Sequence, residues 1–69
     1  MTNTLGEALP KEIKRVRDEV MPVYVAIGAP GRLALAMMRA DLDAASKAMI
    51  EGDLVEMIRC YKALQEYNT

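Results

Sequence analysis

Histidine, tryptophan and phenylalanine are absent from this 69-residue chain, and cysteine occurs once, as Cys60. Each gap removes a class of chemistry. With no histidine and one thiol there is no zinc ligand set of the usual kind, and no imidazole to move protons near neutral pH. A single cysteine forms no intrachain disulfide, which fits a reducing compartment. Neither sign of charge dominates: nine basic and ten acidic side chains leave a net charge of -1, unlike the basic face of a nucleic-acid-binding domain. No apolar run approaches the roughly 18 residues of a membrane span, and the N-terminus lacks the charged, apolar and small-residue succession of a secretory signal. The expectation is a cytoplasmic protein that takes neither DNA, RNA nor membrane as a partner.

There is also little chain. Near this size a single core supplies only about 3 to 5 kcal/mol unless disulfides, metals or oligomerisation add to it. With the first two excluded, oligomerisation remains. The pieces of an active site are missing as well: there is no glycine-rich phosphate loop, no metal-ligand cluster and no serine in a nucleophile context. Asp41 and Asp43 stand two apart on a predicted helix and so point in different directions. The expectation is no enzymatic activity, no catalytic residue, no metal and no cofactor.

What the chain does have is helical periodicity. Residues 1–8 carry no periodic apolar signal and read as a flexible arm, followed by a single helical domain over residues 9–69. Leu9, Ile13, Val16, Val20, Tyr24 and Ile27 recur at spacings of four and three, which predicts a first helix over about residues 10–27. Pro22 should kink it, because the ring removes a backbone donor and crowds the Asp18 carbonyl. Gly28-Ala29-Pro30-Gly31 ends that helix and starts a second over residues 30–51. Gly52 is a natural left-handed stop, and Asp53 with Glu56 resembles a capping box that opens a third helix over residues 54–67. So short a connection folds the last two helices into an antiparallel hairpin. On the third helix, Leu54, Met57, Ile58, Tyr61 and Leu64 form the expected apolar face, with Cys60 beside it as a buried small hydrophobe.

The middle helix has more apolar surface than one partner covers. Leu35, Met38, Leu42, Ala45 and Met49 form one stripe, and Leu33, Met37, Ala40, Ala44 and Ala48 a second. Together they span roughly 200°, against the roughly 100° usual for a one-sided helix. Ala36, Ala40, Ala44 and Ala48 stand four apart, spacing that admits another helix closely or simply reflects helix propensity. Only Arg32, Arg39, Asp43, Ser46 and Lys47 make a wet face. The fold class expected is therefore all-α: three short helices, the last two a hairpin, assembling as a homo-oligomeric bundle.

Asp41 sits within this surface, and a carboxylate on an apolar face needs a partner. Arg17, Arg59 or Arg39 of a neighbouring copy are candidates for an ion pair that fixes register. Alternatively, Asp41 accepts from a ribose hydroxyl or a base amino group of a ligand. The turn from Gly28 through Gly31 to Arg32 offers unpaired helix-start donors and a guanidinium, which suit a phosphate or simply make an interhelical turn. Tyr24 lies on the apolar stripe, and Tyr67, near the C-terminus, is free to stack on a base or a partner. Scattered over one protomer, such residues converge in a symmetric assembly. The candidate ligand-binding set is Arg32, Gly31, Gly28, Tyr24, Arg39, Asp41, Arg17 and Tyr67.

The stretch from Leu9 to Tyr67 contains Leu-Pro-x-Glu-Ile, the Met21-Pro22 break, Ile27-Gly28, Ala36-Met37-Met38-Arg39, Glu51-Gly52-Asp53 and Tyr61-x-x-Leu64. In these features it resembles small uncharacterised helical proteins carried by bacteriophages and prophages. In size, hairpin and implied assembly it is also similar to the phage anti-CBASS and anti-Thoeris sponges, without a residue-level motif. That resemblance implies a non-enzymatic homo-oligomer that sequesters a nucleotide-derived immune signal between protomers, in the cytoplasm of a host cell. A second expectation is a small adaptor or inhibitor that docks a host or phage protein on its apolar face.

Overall fold

The computed structural model describes residues 4–68, and every element among them is helical. Helix α1 (Leu5–Arg15) runs through a π-helical turn (Val16–Val20) into α2 (Met21–Ile27). A 3-10 turn (Ala29–Gly31) then leads into α3 (Arg32–Glu51), and α4 (Leu54–Gln65) folds back along it. The first three pieces form one continuous rod, so the architecture is a three-helix arrangement closed by the α3–α4 hairpin.

The helix begins earlier than the periodicity suggests. Met1 to Asn3 lie outside the described residues, but Leu5 to Ala8, expected in a flexible arm, belong to α1. The Thr4 carbonyl accepts from the Glu7 and Ala8 amides, and Leu5 packs on the core one turn before the fully buried Leu9. Pro10 is therefore inside the helix. In a helix its ring crowds the carbonyl of residue 6, and here that residue is Gly6, exposed and without a side chain.

At Pro22 the expected kink takes a particular form. Proline has no amide to give the Asp18 carbonyl, and the preceding turn widens so that the Met21 amide bonds back to the Val16 carbonyl, five residues away. The rod continues, but the extra residue in the turn shifts the phase of everything after it. Val16 and Val20 are buried, whereas Tyr24 is half-buried and Ile27 is exposed. Ile27 thus leaves the core stripe to which its spacing assigned it.

The α3–α4 connection follows its residues. Gly52 adopts φ 68, its amide and that of Asp53 bond back to the Met49 and Ala48 carbonyls, and the Asp53 carboxylate accepts from the Glu56 amide at 3.2 Å. Glu56 does not complete the capping box, because its carboxylate is held by Arg59 at 2.6 and 2.7 Å. On α4 the buried face is Met57, Cys60 and Leu64, while Leu54 and Ile58 are exposed. The real face is rotated from the expected one because α4 packs against both α1 and α3 and needs its Cys60 edge inside. Helix α4 ends two residues short of the expected boundary, at Gln65.

Among the described residues nine form the buried apolar core: Leu9, Val16, Val20, Met38, Ala45, Ala48, Met57, Cys60 and Leu64. Most lie where α1, α3 and α4 meet. Helix α2 contributes none. The radius of gyration is 12.3 Å, against about 11 Å for a compact chain of this length. The accessible surface is 4736 Å², against about 4,300 Å² for a compact monomer of this mass. The molecule is longer and more exposed than its size requires.

Candidate functional site

The first stripe of α3 packs inward as its spacing predicts: Met38 and Ala45 are buried, and Leu35, Leu42 and Met49 half-buried. The second stripe divides along its length. Ala48 is buried and Ala44 half-buried against α4, while Leu33, Met37 and Ala40 are exposed. The alanine ladder divides likewise, with Ala36 and Ala40 open. Helix α4 covers the C-terminal half of α3, and α2 alone accompanies the N-terminal half.

Asp41 marks the boundary. Within the chain its partner is Tyr67, whose hydroxyl donates to Oδ2 at 2.6 Å. Tyr67 is half-buried against the core and is not the free stacking residue its terminal position suggests. Burial and the adjacent carboxylate push its hydroxyl up to about 12. The pair pins the segment after α4 to the middle of α3. Sequence offers one signal for it, since a tyrosine just past a helix and a carboxylate in an apolar face each need the other.

Three arginines are spent locally. Arg15 grips Glu12 at 2.9 and 3.0 Å and reaches the Leu64 carbonyl at 3.0 Å, tying α1 to the end of α4. Arg17 holds its neighbour Asp18 at 2.8 Å, which lowers that carboxyl, and Arg59 holds Glu56, which lowers it too. Among the described residues Arg32 and Arg39 form no ion pair and no side-chain hydrogen bond. Both are exposed. Arg32 precedes Ala36 by four residues and Arg39 follows it by three, so one stripe carries both guanidinium groups about 10 Å apart along the axis.

The glycine turn is more constrained than a ligand cradle. Gly28 takes φ 86 with open space around it, a conformation that side chains rarely adopt. Gly31 is buried, and a Cβ there would stand 2.6 Å from the Tyr24 carbonyl oxygen. Its bareness lets α2 approach the start of α3, and its amide is already given to the Gly28 carbonyl at 2.9 Å. The first turn of α3 contains no acidic residue and begins with Arg32, so a positive helix end carries a further cation.

Within one protomer the candidate residues form three groups. Gly28, Gly31, Tyr24, Arg32 and Arg39 lie around the α2–α3 end. Asp41 and Tyr67 occupy the middle of α3. Because Arg39 and Asp41 are two residues apart on a helix, they face nearly opposite ways. Arg17 belongs to a different place, an open groove of about 440 Å³ between α1 and α3, shared with Pro10, Ile13, Lys14, Ser46, Met49 and Ile50. This groove was not legible as a site, since it mixes two stripe residues, Ile13 and Met49, with residues from the wet sides of two helices. A second hollow of about 320 Å³, lined by Ala44, Lys47, Ala48, Glu51, Asp53 and Glu56, holds three carboxylates and one ammonium, a poor setting for an anion.

Cys60 is fully buried, and burial pushes its thiol up, so it packs as a small apolar side chain. No group of three acidic or cysteine residues stands ready for a metal ion among the described residues, and no helix is long and apolar enough to cross a membrane. No protein-family model, curated protein or solved structure matches the chain.

Proposed function

We propose that this chain is a non-enzymatic, phage-type binding protein that works as a homo-oligomer and sequesters a small nucleotide-derived signalling molecule between protomers. The observation that carries the reading is the pair of uncommitted guanidinium groups, Arg32 and Arg39, on one stripe of α3 beside an apolar surface that the chain leaves open. Local carboxylates hold the other three arginines. Two guanidiniums about two turns apart, next to a helix start without acidic residues, suit a ligand with more than one phosphate. Tyr24, half-buried at the same end, supplies an aromatic face for a base. Asp41 and Tyr67 act in this reading as a structural latch, and Arg17 stays with Asp18.

The test is calorimetric titration with cyclic dinucleotides, cyclic trinucleotides and cyclic ADP-ribose-type signals. One of these classes should bind and raise the melting temperature, and Arg32→Ala with Arg39→Ala should abolish binding while leaving the helical signal unchanged. If none of the three alters melting, and the arginine variants match wild type in infected cells, the reading is wrong.

A second reading, an adaptor that holds another protein, draws on a separate observation. Ile50 is 87 % exposed at the edge of the α1–α3 groove, and Leu54, Val55 and Ile58 are exposed on α4 just beyond the turn. Retention of a host or phage protein by wild type, lost on Ile50→Asp, would favour it.

A further inference from the structure

The groove between α1 and α3 takes in neither Arg32 nor Arg39 and is built differently from the open surface beside them. It has a floor: Ile13 and Met49 are half-buried and pack on the core, with Pro10 half-buried beside them and exposed Ile50 at the edge. Its polarity is graded along its length. The turn over residues 28–31 reverses the chain, so α3 runs antiparallel to α1, which sets Pro10 and Ile13 toward the Met49 and Ile50 end, and Lys14 and Arg17 toward the Ser46 end. Both ionised groups of the lining are positive, and no carboxylate lines it. Arg17 is held by Asp18 at 2.8 Å, whereas among the described residues Lys14 makes no ion pair. One ammonium is left over.

We infer that this groove binds a free medium-chain fatty acid, its acyl chain lying over Ile13 and Met49 under the Ile50 edge and its carboxylate accepting from the Lys14 ammonium and the Ser46 hydroxyl. Three observations select that occupant. The sign of the lining charge calls for an anion. The grading calls for a ligand charged at one end and apolar along the rest, which a fatty acid is and a nucleotide is not. The size excludes a protein: a volume of about 440 Å³ lies within the roughly 300 to 1,000 Å³ of small-ligand sites, while seven lining residues fall far short of the about 20 to 30 that a protein partner engages. From Pro10 to Arg17 the helix advances about 10 Å, the span of an octanoate to decanoate chain. A two-chain membrane lipid is too large. The site is separate from the nucleotide reading and stands or falls without it.

The experiment is calorimetric titration of the full chain with octanoate, nonanoate and decanoate below their micelle concentrations, and with decyltrimethylammonium. Affinity should rise about two- to fourfold with each added methylene, and decyltrimethylammonium should bind at least tenfold more weakly than decanoate. Lys14 and Ser46 are exposed, so Lys14→Glu and Ser46→Trp should keep the wild-type helical circular dichroism. Lys14→Glu should weaken decanoate by about tenfold and favour the cationic amphiphile, and Ser46→Trp, which fills the groove, should abolish binding. Leu33→Glu, on the open α2–α3 surface, should change nothing. Absence of decanoate binding, equal affinity for the two amphiphiles, or wild-type affinity in Lys14→Glu and Ser46→Trp would overturn the inference. So would loss of binding in Leu33→Glu, tight binding to phosphatidylglycerol vesicles that decanoate fails to compete, or a protein partner held through Ile50 that decanoate fails to displace.

Discussion

In the half of the molecule that α4 covers, from Gly52 to the middle of α3, α1, α3 and α4 surround Leu9, Ala45, Ala48, Met57, Cys60 and Leu64, and Arg15 ties α1 to the end of α4. At the Gly28 end, α2 and the first nine residues of α3 face each other alone, and Met38 is the one large side chain of those two segments that is fully buried. Both ends are rich in Val, Leu, Ile and Met. What differs is the number of layers available to cover them, because α4 is 12 residues long against 20 for α3 and stops beside its middle. Apolar composition alone does not make a core; a third helix within reach does.

The contrast can be broken most severely from the enclosed side. Leu64→Ala empties space at the meeting point of three helices and should cost about 2 to 5 kcal/mol. That is comparable to the whole stability of a domain this size, so urea titration followed by circular dichroism should show a largely unfolded chain at room temperature. Gly31→Ala acts on the open end: a methyl group 2.6 Å from the Tyr24 carbonyl forces α2 away from α3. A loss of about 1 to 3 kcal/mol is expected, with amide exchange accelerating in α2 and little changed in α4.

The boundary between the ends is tested by Tyr67→Phe, which leaves the Asp41 carboxylate without its donor and should lower stability by about 1 kcal/mol. The sign of the pH effect follows from the shift. The hydroxyl rises from an ordinary 10 to about 12 in the folded chain, so its contribution is complete below pH 10 and is lost as pH rises through 12. Melting temperatures of wild type and Tyr67→Phe should therefore differ at pH 8 and converge toward pH 12. The smallest effect belongs to Asp53→Ala at the exposed start of α4. Loss of that cap should cost about 0.5 to 1 kcal/mol, read as a modest drop in the urea midpoint.

The parts of the fold governed by local chemistry were legible from sequence. Gly52 and Asp53 dictate their turn through φ and a side-chain cap, and the 3-4 spacing of Leu35, Met38, Leu42, Ala45 and Met49 found the inward face of α3. Features that depend on competition between elements were not. Pro22 signals a disturbance, but whether the helix breaks or widens by one residue depends on what the flanking valines gain by staying buried. That choice moved Ile27 from core to surface. Cys60 replaced Ile58 on the inner face of α4 because two helices, not one, pack there. The candidate site shows the same division: the exposure of Arg32 and Arg39 was readable from the wet face, whereas the Tyr67 partner of Asp41 required knowing where α4 ends.

The tyrosines were placed by these same constraints, and with no tryptophan or phenylalanine present they are the only aromatic rings. Tyr24 lies at the open end, Tyr61 against the enclosed core and Tyr67 on the seam between them. The aromatic region of a proton magnetic resonance spectrum therefore contains three ring systems, one for each part of the molecule. Ring-flip rates and line widths should separate them without isotope labels or added probes, so a ligand or a second copy arriving at one end would announce its location by which ring it broadens.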